Sequence, residues 1–429
     1  MPRTMSHDLA APYQRITLIL GALAIGGLVA SELTAQGLPE PGASGIEHVI
    51  VVTMENRSFD HFLGWLPQAD GRQEDITYLD QLGLPRTTFR LAPDFQGCSH
   101  PDPDHSYLGG RVEFNNGACD GWLRAGANDE FAIGFYKRND LRFFSEVTRH
   151  WTTCDRYFCS IMAETWPNKI YQYAAQTDRL TNAFELCTLP TILDRLAAAN
   201  LEARYYFSDV PFVALWGFQY LPISRPFSAF LADAAAGTLP KVSFIDPRFL
   251  DAASGTSADD HPHADVRNGQ AFMQRIYQAV TTSPNWPHTV LVFTYDEWGG
   301  FFDHVPPPVR AIPLGDQLAG SDGRLGFRVP CIVVSPFATA RVSSIELEHC
   351  SVLRMIEWRW NLQPLTVRDA TANNLAEVLD FSVNRLQPRQ INVPQGPFGA
   401  PCPGIPGGGD KWAFLRLLAI SFGWPNWPN

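Results

Sequence analysis

The sequence predicts an α/β protein with a mostly parallel central sheet flanked by helices. Three observations carry that expectation. Four short runs, residues 46–54, 241–245, 289–295 and 329–334, are rich in Val and Ile with little period-two alternation, as in strands covered on both faces. Helical spacing occupies 168–176, 191–200, 266–281 and 351–360, so strands and helices interleave. Two strands end in polar pairs, Glu55-Asn56 and Asp296-Glu297, and ligands of such sheets bind beyond the carboxyl ends of the strands.

The first forty residues read differently from the rest. Arg3 and Arg15 precede an apolar run over 16–30, and small residues follow at Ala30, Ser31 and Ala35. This is the layout of an export signal or signal anchor, in a run shorter than the roughly 20 apolar residues of a membrane span. Residues 1–40 are therefore expected to be an export segment plus linker, and 41–429 one folded domain. The expected location is secreted, periplasmic or attached to the cell envelope.

The strand over 46–54 opens the domain and delivers Glu55 and Asn56 to its end. Residues 93–128 form a long, glycine-rich stretch holding Cys98, His105 and Cys119, read as a loop insertion over the active edge. The helix at 168–176 follows Glu164-Thr165-Trp166-Pro167, which sets a hydroxyl just before a helix start. The strand at 241–245 precedes Asp259-Asp260 and His261. The strand at 289–295 runs straight into Asp296-Glu297, with His304 seven residues further on. His349 stands before the last helix, for which Ser351 is the expected cap. Residues 385–408 are rich in Pro and Gly and read as an extended wrap.

The net charge of −11 argues against a nucleic-acid partner, which needs a basic face for phosphates. It does not argue against a phosphate ester, because a bound cation can reverse the local field. Eight cysteines in an exported chain suggest disulfides. Cys98 with Cys119 and Cys154 with Cys159 are the expected pairs.

Glu55, Asn56, Asp296 and Glu297 place three carboxylates and an amide at two strand ends. Such carboxylates repel unless a cation sits among them, and all-oxygen ligation suits a hard divalent ion: calcium, magnesium or manganese. Thr165 sits where a helix dipole favours an oxyanion or phosphate, and Asn168 could donate to a phosphoryl oxygen. His105, His261, His304 and His349 offer the proton that a departing alkoxide needs. For each residue alone, an ordinary structural role accounts equally well for its presence.

Taken together, the motifs resemble the bacterial phosphoesterase family, which includes phosphatidylcholine-type phospholipases C and a group of acid phosphatases. VVTMENRSFDHFLG (51–64) resembles its opening signature and ETWPNKIYQYAAQTD (164–178) its nucleophile segment. DDHPHADVRNGQ, TYDEWGGFFDHVPPP, GFRVPCIVVSP and HCSVLRMIEWRWNLQPLTVRDA resemble its later blocks, in order. The resemblance implies a fold similar to alkaline phosphatase, a divalent cation held by Glu55, Asn56, Asp296 and Glu297, and a phospho-enzyme on Thr165. It places His105, His304 and His349 near the phosphate, with His261 beside them. Thr at the nucleophile position matches the phospholipases C, whereas the acid phosphatases carry Ser. The implied substrate is a phospholipid, with a soluble phosphomonoester as the alternative and peripheral membrane contact as a corollary. A choline headgroup would need an aromatic cage, for which Tyr107, Trp122, Trp166 and Trp298 are the candidates.

Overall fold

A computed structural model describes residues 37–250, 257–402 and 411–425, so the expected export segment and linker over 1–40 lie outside the described residues but for the last four. From Leu38 onward the chain forms one compact unit. Its centre is an eight-stranded sheet built from β1 (His48–Met54), β2 (Thr152–Cys154), β3 (Ala203–Phe207), β4 (Ser224–Pro226), β5 (Val242–Ile245), β6 (Thr289–Tyr295), β7 (Cys331–Val334) and β8 (Arg341–Ser343). The spatial order is β8-β2-β7-β6-β1-β5-β3-β4.

All pairings are parallel except those of β7, which runs against both β6 and β2. Every residue of β1 and β6 is buried, which is why the sequence shows apolar runs there instead of alternation. The expected strand at 329–334 is present as β7, but in the reverse direction. The outer strands β2, β3, β4 and β8 are short and carry no strong pattern, so they escaped the sequence reading.

The helices that matter below are α1 (Phe59–Leu63), α2 (Tyr107–Phe114), α3 (Thr165–Ala174), α4 (Ile192–Ala198), α5 (Val266–Thr281), α6 (Leu314–Leu318), α7 (His349–Trp360) and α8 (Lys411–Ser421). Helix α3 starts three residues earlier than expected. Pro167 is accommodated because a first-turn residue needs no N–H donor. It ends at Ala175, in the left-handed region at φ 54°. Ser351 is not the cap of α7. Glu348 is, and Ser351 sits at the third helical position, where its hydroxyl accepts from the Glu348 N–H at 3.0 Å.

The cysteine expectations fail. Cys98 pairs with Cys402 across 304 residues of sequence, while Cys119, Cys154 and Cys159 are buried and free. The bond pins the C-terminal segment, which crosses α5: Tyr277 Oη donates to Arg389 O at 2.7 Å and Gln274 Nε2 to Ile391 O at 3.0 Å. Spacing could not find a pair this remote, because only the folded backbone brings the two ends of the domain together.

Candidate active site

β1 and β6 stay in register to their last residues, Met54 opposite Tyr295, so Glu55-Asn56 and Asp296-Glu297 leave the sheet side by side. The Asn56 N–H donates to Asp296 Oδ1 at 3.3 Å. All four side chains are fully buried. Glu297 Oε2 accepts from the Gly299 N–H at 2.6 Å. Asn56 Oδ1, Asp296 Oδ2 and Glu297 Oε1 accept no hydrogen bond, and Glu55 Oε1 meets only the Lys169 ammonium. Buried oxygens without a donor are costly, and three of them at adjoining strand ends, beside the Glu55 carboxylate, fit a hard divalent cation. Burial, with Asp296 beside it, drives the Glu55 carboxyl well above its usual range. Burial also lifts Glu297, and burial plus the Glu297 charge push Asp296 up to about 8.

One internal cation already touches this group. Lys169 Nζ lies 2.9 Å from Glu55 Oε1 and 3.3 Å from Asp246 Oδ1. Lys169 comes four residues after Thr165, so both occupy one face of α3, and Asp246 follows β5 directly. Burial would lower the Lys169 pKa, but Asp246 and Glu55 outweigh it and the ammonium is retained.

Thr165 is the first residue of α3, and its hydroxyl donates to Glu55 Oε2 at 3.4 Å. His261 Nε2 lies 3.8 Å from the same oxygen, while its Nδ1 bonds Asp259 Oδ2 at 2.7 Å. His105 approaches from the opposite strand end: Nε2 is 3.5 Å from Asn56 Nδ2 and 3.9 Å from Glu297 Oε1, with Nδ1 held by Pro103 O at 2.7 Å. Gly299 and Gly300 make that approach possible. A Cβ at Gly299 would lie 2.2 Å from Asn56 O, and one at Gly300 would lie 2.7 Å from Pro103 Cβ. Both have φ near +65 to +69°, open to glycine without strain. A cavity of about 260 Å³ opens beside His105, walled by Asp102, Asp104, Gly126 and Glu164. The stretch 93–128 thus lies against the site.

Three sequence-predicted residues stand elsewhere. Asn168 offers nothing to a phosphate: its Nδ2 donates to Ile161 O and Ala163 O at 3.0 and 2.8 Å, and its Oδ1 accepts from the Ile161 N–H. It fastens the turn that carries Thr165. His349 lies behind the carboxylates, with Nε2 on Asp296 O at 2.7 Å and Nδ1 on Tyr157 Oη at 3.2 Å. Burial lowers its pKa to about 3, so it is neutral there. His304 belongs to a second cluster, with Nδ1 on Asp60 Oδ2 at 2.5 Å and Nε2 on Asp70 Oδ1 at 3.0 Å. Asp60, Asp303 and His304 are close enough to share an ion, but the Arg328 guanidinium bonds both carboxylates and supplies positive charge.

The aromatic-cage candidates are structural. Trp122 and Trp298 are fully buried, with their indole N–H groups on Cys119 O and Glu113 Oε2. Trp166 packs edge-on to Phe184, and Tyr107 is covered by Arg111. Sequence reasoning missed Lys169, Asp246, Asp259 and Arg328. The only signal for Lys169 was its i+4 spacing from Thr165; Asp246 also stood at a strand end and could have been found. Arg57 fastens a loop: it donates to Asp260 O at 2.7 Å and His261 O at 3.1 Å, tying the His261 loop to the segment after β1.

The model of the Phosphoesterase family matches residues 46–363, a span holding all of these side chains. The chain belongs to the Phosphoesterase family. It is an enzyme that hydrolyses phosphoesters. Among family relatives it is 31% identical to non-specific phospholipase C6 of Arabidopsis thaliana, over 78% of this chain and 72% of that one. It is 30% identical to phospholipase C A of Mycobacterium tuberculosis, over 80% and 79%. A solved phosphonate monoester hydrolase of Agrobacterium radiobacter aligns over 78% of this chain and 77% of that one, at TM-score 0.39 and 9% identity, too distant to carry a residue or an activity across.

Proposed function

We propose that this family member is a phospholipase C that cleaves phosphatidylcholine-like lipids through a phospho-threonine on Thr165. The observation that carries the reading is the Thr165 hydroxyl, held at the N-terminus of α3 and against Glu55, with His261 near the same Glu55 oxygen and His105 near Asn56 and Glu297. Glu55, Asn56, Asp296 and Glu297 would hold a divalent cation. When bound, such an ion polarises a phosphoryl oxygen and lowers the pKa of a nucleophile. The positive end of the α3 dipole and the Lys169 ammonium beside Glu55 would offset the charge that builds on the phosphoryl group.

Thr165 Oγ1 passes its proton to Glu55 Oε2, to which it already donates, and forms a bond to phosphorus as the bond to the diacylglycerol oxygen breaks. That oxygen takes a proton from Nε2 of the His105 imidazolium, whose other nitrogen is tied to Pro103 O. Asp259 holds His261 with Nε2 near the Glu55–Thr165 contact, where it can bond a phosphoryl oxygen. Water then attacks phosphorus and gives a proton back to His105 Nε2, the bond to Thr165 breaks as Oγ1 recovers its proton from Glu55, and the headgroup phosphate leaves. Loss of Asn168 and His304 from the acting set follows from their contacts.

The cavity beside His105 favours a diester. It is walled by Asp102, Asp104 and Glu164, which oppose the second negative charge of a monoester and suit a cationic headgroup. The test sets phosphatidylcholine beside an aryl phosphate, for wild type and Thr165→Ala. Lipid turnover that falls at least about 10³-fold in the variant is expected for loss of a nucleophile. Monoester turnover without lipid turnover would refute the lipase reading, and full activity in Thr165→Ala would refute the nucleophile.

We also propose that the chain is exported. The Cys98–Cys402 bond supports this, since disulfides persist in oxidising compartments. Cell fractionation that finds the chain only in the cytoplasm would end the idea.

A further inference from the structure

We infer that an apolar rim around the site docks the enzyme on a phospholipid bilayer; this rests on the lipase reading above. The rim has two ridges. On one side, α8 buries Trp412, Leu415 and Ala419 and turns Phe414, Leu417 and Ile420 outward, where they are 43, 66 and 42% exposed. A helix apolar on both faces calls for a second apolar partner. On the other side, α2 and α6 present Leu108, Leu314 and Leu318, 75, 68 and 80% exposed. Tyr107 Oη joins these helices by donating to Gly320 O at 3.0 Å.

Both ridges border the active site without entering it. Trp412 stacks on Phe249 at 3.9 Å between ring centroids and stands edge-on to His261. Tyr107 comes two residues after His105. The loop between α3 and α4 links the ridges, since Leu180 lies against Gly320 and the Phe184 ring meets Phe414 at 4.0 Å. The same loop holds the nucleophile turn. The Asn182 N–H donates to Glu164 Oε2, and Asn182 Oδ1 accepts from the Trp166 N–H, both at 2.7 Å. The loop that links the ridges is therefore fastened to the turn that carries Thr165.

Charge selects the occupant. The α8 segment carries Lys411 and Arg416 and no carboxylate, in a chain of net charge −11. A second copy of so acidic a chain would be repelled, whereas lipid phosphates suit a basic, Trp- and Leu-bearing helix. Lipid esters also lie at the depth such side chains reach.

The experiment measures sedimentation with phosphatidylcholine vesicles in a Thr165→Ala background, so that the vesicles are not consumed. Leu417→Asp with Ile420→Asp, and separately Leu314→Asp with Leu318→Asp, should each lower binding by about tenfold or more. With Thr165 intact, the same pairs should leave turnover of a monomeric short-chain phosphatidylcholine within about twofold of wild type. The pairs lie on different helices, so misfolding of one leaves the other decisive. Vesicle binding equal to wild type in both pairs, no binding by the parent protein, or an equal loss on the monomeric lipid would overturn the proposal. So would a variant that converts a dimer to a monomer, because the rim would then seat a second copy. Vesicle binding without lipid turnover would refute the substrate reading and leave docking standing.

Discussion

Replacing Arg328 by alanine should cost more stability than any change at the rim of the site. Its guanidinium is fully buried and each of its three nitrogens donates. Nε reaches both oxygens of Asp303 at 2.9 and 3.2 Å, Nη2 reaches Asp60 Oδ1 at 3.1 Å, and Nη1 reaches Asp70 O and Asp155 O at 2.6 and 2.8 Å. Asp60 lies on α1 beside Glu55-Asn56, and Asp303 lies on the segment after Asp296-Glu297, so one residue clamps both ligand-bearing segments. Alanine strands two buried carboxylates, a loss of about 3–5 kcal/mol for a broken buried pair. Two orphaned carbonyls add about 1–3 kcal/mol each, and proton uptake gives part of this back. Burial already raises Asp303 to about 6, against the lowering by Arg328. The net expectation is a loss of about 4 kcal/mol at pH 7.5, read as the difference in urea unfolding free energy, shrinking toward pH 5 as Asp303 takes up a proton. Adding Asp60→Asn and Asp303→Asn should restore much of it. A loss under about 1 kcal/mol, or one that grows on acidification, would refute the clamp.

Three further outcomes are expected. Millimolar calcium, magnesium or manganese should raise the melting temperature of the wild type, by linkage to the folded state, and Glu297→Gln should abolish the rise; an equal rise in the variant would remove Glu297 from the cation site. The His304 pKa is lowered by burial but raised further by Asp60 and Asp303, so it stands above 6.5 when folded. Its stabilisation is then complete below pH 6.5 and lost as pH rises through the folded value; His304→Gln should flatten the fall in stability above about pH 6.5, and an unchanged slope would count against it. Cys402→Ser should destabilise by about 2–4 kcal/mol, and a reductant should then lower the melting temperature of the wild type but not of the variant.

Much of the fold was legible because buried parallel strands must be apolar throughout. β1, β5, β6 and β7 therefore stood out as runs, and the polar pairs after β1 and β6 marked the active edge. Strand direction was not legible: β7 is as apolar as its neighbours, and nothing local records that it runs backwards. The oxygen cluster could be predicted because four polar side chains at two strand ends have few structural uses. The histidines could not be sorted. His105, His261, His304 and His349 each sit near an acidic residue in sequence, yet their partners are a proline carbonyl, Asp259, Asp60 and a carbonyl of the ligand strand. The partners of His304 and His349 are set by which loops the sheet brings together, and where all four rings then point is set the same way.

The sequence by itself determined the α/β class, the pairing of Glu55-Asn56 with Asp296-Glu297, and the place of Thr165 at a helix start, because these follow from local pattern and strand chemistry. Only the tertiary structure decided that Lys169 enters the carboxylate cluster, that Arg328 and not a ligand histidine joins the two motif loops, and that Cys98 finds Cys402. Each of these depends on distances between segments tens to hundreds of residues apart, which burial and packing set and no local pattern encodes.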